Sequence, residues 1–149
     1  MFKSILVATD FTPGANQAVE LALEMAARDQ ADLVVLHVFE IPSYMYPGVE
    51  FAAVDYLGPL QEAAQRQFDQ LCASVRGRWP RMQGLFKEGT AWEQILAVIA
   101  ETHADLVVVG THGRRGLAHA LLGSIAEKVV RLSPVPVMTV RQSVPDSAR

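Results

Sequence analysis

The stretch GTHGRRGLAHALLGS, Gly110 to Ser124, gathers residue types whose spacing suits anion chemistry. Gly110, Gly113 and Gly123 stand three and ten residues apart, and the hydroxyl of Ser124 directly follows the last of them. Glycines permit positive φ and carry no Cβ, so successive backbone N–H groups can turn together toward one anion. The apolar run LVVV precedes the stretch and IAEKVVRL, which reads as a helix, follows it. A helix opening at Ser124 and Ile125 adds free backbone donors and the positive end of its dipole. Thr111 and His112 lie between the first two glycines, and Arg114 and Arg115 place cationic forks beside them. The chemistry implied is phosphate binding. A plainer reading stays open: Ser124-Ile125-Ala126-Glu127 is also a capping box, and exposed arginines on a loop are ordinary solvated surface.

Such a cradle needs elements to hold it, and periodicity supplies them. Ile5 to Ala8 reads as a first strand that stops at Thr9-Asp10. Thr12-Pro13 offers a cap and a first-turn proline for a helix whose apolar face is Ala15, Ala18, Val19, Ala22, Met25 and Ala26. Strands are predicted at Leu33–Phe39, Met82–Lys87 and Asp105–Gly110, with a last one at Val135–Arg141. Leu60, Ala64, Phe68, Leu71 and Val75 predict one face of a second helix. A third helix opens at the capping box Thr90-Ala91-Trp92-Glu93, with Trp92, Ile95, Leu96 and Ile99 inward, and a fourth covers Ser124 to Leu132.

Strand and helix therefore alternate throughout. The fold class is α/β: a single open five-stranded parallel sheet, Rossmann-like, with helices on both faces. The unalternating apolar runs LVVLHV and LVVV fit strands buried on both sides. In such sheets ligands sit beyond the carboxyl ends of the strands, where successive connections diverge. With strand order 3-2-1-4-5, that point brings Thr9-Asp10 opposite Gly110–Gly113. Residues 1–142 make one domain, and 143–149 read as a flexible tail.

Other residues invite sharper readings. The nineteen or so residues IPSYMYPGVEFAAVDYLGP, with three prolines, read as a long loop of the kind that forms lids or partner contacts. Tyr44, Met45, Tyr46 and Phe51 in it form either a cofactor box or, as we favour, a cover for a core or interface. His37 reads as a packed core histidine in preference to a metal ligand. His112 and His119 lack a third ligand at zinc-like spacing, so no metal site is assigned.

Composition narrows the classes further. Half of the 149 residues are hydrophobic and 19% are charged, which argues for a folded chain and against disorder. A net charge of −3 gives no support to nucleic-acid binding. The single cysteine, Cys72, excludes an intrachain disulfide and fits a reducing, cytoplasmic setting. No apolar run approaches the roughly 18 residues of a membrane span, and MFKSILVATD turns polar too soon for a signal peptide.

The pattern Gly110-x2-Gly113-x9-Gly123-Ser124 with IAEKVVRLSPVPVMTVR, together with ILVATDFT and VVLHVFE, resembles the universal stress protein family along essentially the whole chain. The glycine pattern is similar to that of the branch that binds ATP. The resemblance implies ATP as ligand, with Mg2+ accompanying the phosphates, in a protein that acts as a regulator or sensor of stress. It implies phosphate contacts at Gly110, Gly113, Gly123 and Ser124, the ribose region at Asp10, and adenine at the backbone of Val38. First-strand contacts fall on Ala8 and Thr9, Ala8 standing where some members carry proline. A homodimer through Val135–Arg141 is implied as well, in accord with an apolar strand that ends the regular structure and needs a cover. Two alternatives remain beside the ATP binder. One is a slow ATP-hydrolysing enzyme, for which no P-loop lysine and no general base other than Asp10 is evident. The other is a nucleotide-free interaction module.

Overall fold

Short runs of Val, Ile and Leu form the sheet, and longer segments with apolar residues at helical spacing cover it. A computed structural model describes residues 1–41, 50–112 and 122–143, with 50–56 described as helix backbone. The elements are β1 (Ser4–Ala8), α1 (Pro13–Asp29), β2 (Asp32–Phe39), α2 (Glu50–Arg78), β3 (Met82–Glu88), α3 (Ala91–Thr102), β4 (Leu106–Gly110), α4 (Ser124–Leu132) and β5 (Val137–Val140). All strand pairs are parallel, as the alternation of elements predicts, and the order is β3-β2-β1-β4-β5, the order expected.

Side-chain alternation divides the core in two. Ile5, Val7, Leu33, Val35, Leu106 and Val108 face α1 and α2, where they meet Ala18, Ala22, Ala26, Phe68 and Cys72. Leu6, Val34, Leu36, Val107 and Val109 face α3 and α4, meeting Ile95, Val98, Ile99, Ala126 and Val129. Both faces are thus dry, which is why the central strands read as continuous apolar runs.

Several expectations change in detail. Helix α2 begins at Glu50 and runs through Gly58 and Pro59, so residues 50–59 of the stretch read as a loop are helical. A proline inside a helix forgoes one helical hydrogen bond, so a proline-containing segment is an unexpected place for a helix to run. Residues 42–49, including Tyr44, Met45 and Tyr46, lie outside the described residues, as does the side chain of Phe51. Leu60 is 56% exposed, so the inward face of α2 is Phe68, Cys72 and Val75. A Cβ at Gly84 in β3 would stand 2.6 Å from Cys72 Sγ, so the glycine lets α2 settle against the sheet. Burial pushes the Cys72 thiol pKa up, so it packs as a neutral, small apolar group.

The capping box at Thr90 does not form. Thr90 makes no side-chain cap, and Glu40 at the end of β2 instead accepts from Ala91 N at 2.7 Å. A longer-range carboxylate has taken the place of the local hydroxyl, something no spacing rule anticipates. Strand β5 is also shorter than expected, because Pro134 and Pro136 cannot donate to a ladder and regular pairing starts at Val137. Among the described residues no helix is long and apolar enough to cross a membrane.

Candidate functional site

The two crossovers after β1 and β4 leave the sheet toward opposite faces, so the carboxyl ends of these neighbouring strands bound a crevice. Polarity concentrates there. The buried polar residues among those described are Thr9, His37 and Thr111, at 5%, 6% and 4% exposure. They lie just past β1, near the end of β2 and just past β4, so three adjacent strands become polar at one edge. Each has a hydrogen-bond partner, as burial of such groups requires.

The turn from β1 into α1 is tightly held. Thr9 N donates to Leu36 O at 2.9 Å, extending the ladder past Ala8, and Thr9 Oγ1 accepts from Phe11 N at 3.0 Å. Asp10 Oδ1 accepts from Thr12 N at 3.1 Å and from the Thr12 hydroxyl. Thr12 in turn caps α1 by accepting from Ala15 N at 3.3 Å. Phe11 sits between these groups with φ 65°, a left-handed conformation that a bulky residue seldom adopts. Sequence reading missed Phe11, although the short polar residues on either side of it are a recognisable turn signal.

Across the crevice, Gly110 ends β4 close beneath α1. A Cβ there would lie 3.2 Å from Gly14 C and 3.3 Å from Ala15 N. The glycine therefore has a packing reason of its own, because it lets the first turn of α1 approach the sheet. Thr111 N donates to Val140 O at 3.0 Å, continuing the β4–β5 ladder, and Thr111 Oγ1 lies 3.0 Å from His112 Nδ1. Gly113, Arg114 and Arg115 lie outside the described residues. The chain returns at Leu122, and Gly123 N donates to Thr111 O, which ties the start of α4 to the end of β4.

That helix does not begin as a capping box. Gly123 is the N-cap and has no side chain to accept a hydrogen bond, while Ser124 is the first helical residue and is exposed. The Ser124 hydroxyl therefore does not cap the helix, and the plainer reading of this serine is corrected. Ile125 packs on the α3–α4 side of the core and fixes the depth of the helix. The result is a helix start with no side-chain cap among the described residues and an exposed hydroxyl, lodged at the sheet's polar edge.

Val38, near the end of β2, is paired with Lys87 in register and packs against the same side of the core. The structure thus brings Ala8, Thr9, Asp10, Gly110, Thr111, His112, Gly123, Ser124 and Ile125 to the ends of β1 and β4, with Val38 one strand away. A groove of about 720 Å3 on the outer side of α1, lined by Gln17, Glu20, Leu21, Leu71, Val140 and Ser143 among others, includes none of these residues. No cluster of three or more His, Cys, Asp or Glu among the described residues could hold a metal ion.

An open parallel sheet of this order, with a polar crevice at its switch point, defines a doubly wound α/β domain of Rossmann-like topology. The universal stress protein family model matches residues 1–141, and the chain belongs to that family. A universal stress protein of Thermus aquaticus is 34% identical over 148 residues, covering 95% of this chain and all (100%) of that one. Universal stress protein A homolog 1 of Coxiella burnetii is 32% identical over 142 residues, covering 93% and 96% of the two chains. The solved structure of UspA from Lactobacillus plantarum superposes with TM-score 0.83 at 25% identity, covering 93% and 97%. Two more distant structures share the fold. One, a complex with cAMP, has TM-score 0.71 at 22% identity and coverage of 95% and 98%. The other, from Archaeoglobus fulgidus with dAMP, has TM-score 0.64 at 17% identity and coverage of 93% and 97%.

Proposed function

We propose that this universal stress protein binds ATP at the switch-point crevice and acts in the cytoplasm as a regulator or sensor of stress. The observation that carries this is the start of α4. Its N-cap is a glycine, its first residue is an exposed serine, and it is tethered to the end of β4. Backbone donors and a helix dipole so placed suit a phosphate. Gly123, Ser124 and Ile125 would hold the phosphates from this side, together with Gly113 and the cationic forks of Arg114 and Arg115. Asp10 and Thr9 would meet the ribose, and the backbone of Val38 the adenine. Mg2+ would accompany the phosphates of the bound nucleotide. Two proteins of the same fold hold adenine nucleotides, cAMP and dAMP, and this supports the ligand class.

Mass spectrometry of the ligand released from freshly purified, denatured protein tests the reading. ATP is the expected species. ADP or AMP alone points to turnover, and no nucleotide, with no binding on titration, overturns the reading.

The same reading includes a homodimer through β5. Among the described residues this strand is an edge of the sheet, paired only with β4, and its Val137, Met138 and Val140 are partly buried. Val130 and Leu132, just before it on α4, are exposed apolar side chains. Antiparallel pairing of two such strands about a twofold axis covers both edges in one closed contact. Val137→Lys combined with Thr139→Pro should then give a monomer by sedimentation equilibrium. A wild type already monomeric at micromolar concentration contradicts the dimer.

A further inference from the structure

His37 does more than fill the core. Its Nδ1 lies 2.7 Å from the carbonyl oxygen of Thr9. A carbonyl can only accept, so the proton must be on Nδ1, and the imidazole donates. Thr9 is where the chain leaves the sheet. Its N–H still serves the β1–β2 ladder, through Leu36 O, while its carbonyl bonds to the histidine side chain. The ring that makes this bond is almost wholly buried and surrounded by aromatics, its centroid 4.4 Å from Phe11, 5.4 Å from Phe86 and 6.3 Å from Phe68. Filling this space alone would need only an apolar side chain, since a buried imidazole is unfavourable unless hydrogen-bonded. In such surroundings the bond is strengthened and its loss leaves a costly unpaired carbonyl.

What the bond holds is a strained turn. Phe11 keeps φ 65°, its amide on Thr9 Oγ1 and its ring against His37. Asp10, between them, is the turn's carboxylate and accepts from the amide and hydroxyl of Thr12. Backbone strain of this kind persists where surrounding structure over-determines it, and it gathers at ligand sites. We infer that His37 is a positioning residue of the crevice: through Thr9 it fixes the strained turn that presents Asp10 to a nucleotide ribose. The inference rests on the nucleotide reading above and adds to it a buried residue that touches no ligand.

The test uses the full chain as wild type, His37→Leu and His37→Asn. The asparagine side-chain amide can place its nitrogen near the position of Nδ1 and donate, whereas leucine only fills space. Calorimetric titration with ATP should show affinity weakened about tenfold or more in His37→Leu, the scale of one buried hydrogen bond. In His37→Asn it should return to within about threefold of wild type. Urea denaturation of all three separates affinity from stability. On unmodified protein, a long-range proton–nitrogen imidazole spectrum should place the His37 proton on Nδ1, a reading that stands even if His37→Leu fails to fold. Wild-type affinity in folded His37→Leu, equal weakening in both variants, or a neutral ring protonated on Nε2 overturns this inference alone. A wild type that binds no adenine nucleotide overturns the nucleotide reading and this inference with it.

Discussion

Helices α1 and α4 both begin beside the crevice between β1 and β4, yet their first turns are finished in opposite ways. At α1, Thr12 accepts from Ala15 N, Pro13 has no N–H to satisfy, and Asp10 steadies the cap from outside. That turn is sealed against Gly110. At α4 the cap is Gly123, which has no side chain, and the neighbouring serine is exposed. Both starts carry cap-like residues in sequence, Thr-Pro in one case and Ser-x-x-Glu in the other. Only one turns its hydroxyl back onto its own helix. The start of α1 is sealed by its own cap, whereas that of α4 has no side-chain cap among the described residues, the arrangement on which the proposed phosphate site rests.

The sharpest way to break this contrast is at the sealed side. Gly110→Val puts side-chain atoms where a Cβ alone would already be 3.2 Å from α1 backbone. A loss of about 2–3 kcal/mol of stability in urea denaturation is expected, the upper range for overpacking. Unchanged stability would mean that the close approach of α1 is not what requires glycine. On the open side, Ser124→Asp should leave stability within about 0.5 kcal/mol, as surface changes usually do. The added negative charge should weaken ATP binding by about tenfold or more in calorimetric titration. Equal affinity would remove Ser124 from the phosphate site. Smaller effects separate the two hydroxyls directly. Thr12→Ala should cost about 1 kcal/mol, the worth of an N-cap, while Ser124→Ala should cost less than about 0.5 kcal/mol. Equal losses in the two variants would erase the distinction.

Much of this contrast was legible in the sequence, and the part that was not has a physical cause. The five strands, their parallel pairing and the Thr12-Pro13 start of α1 follow from local periodicity and from the rules of parallel sheets, and the expected order 3-2-1-4-5 is the one found. The capping boxes at Thr90 and Ser124 were read where neither forms. At Thr90 a distant carboxylate, Glu40, took over the first helical donor, and at Ser124 the helix began one residue earlier than the motif requires. Both outcomes depend on tertiary placement, which a four-residue pattern does not contain. The stretch 41–59, with three prolines and no clear period, read as a long loop, yet α2 already runs from Glu50 and carries Pro59 inside it. His37 was read rightly as a core residue, but its bond to Thr9 joins residues 28 apart in sequence. Gly110 was read for its lack of a side chain toward a ligand, whereas the nearest atoms to a Cβ there belong to α1.

The most direct test of the open crevice is an amide-resolved NMR titration of the full chain with Mg-ATP. The account predicts saturable shifts at Thr9–Phe11, Val38, Gly110–His112 and Gly123–Ile125, with the middle of α1 and the groove at Gln17 and Ser143 unmoved. Saturable shifts confined to that groove, or none at millimolar ATP, would contradict it.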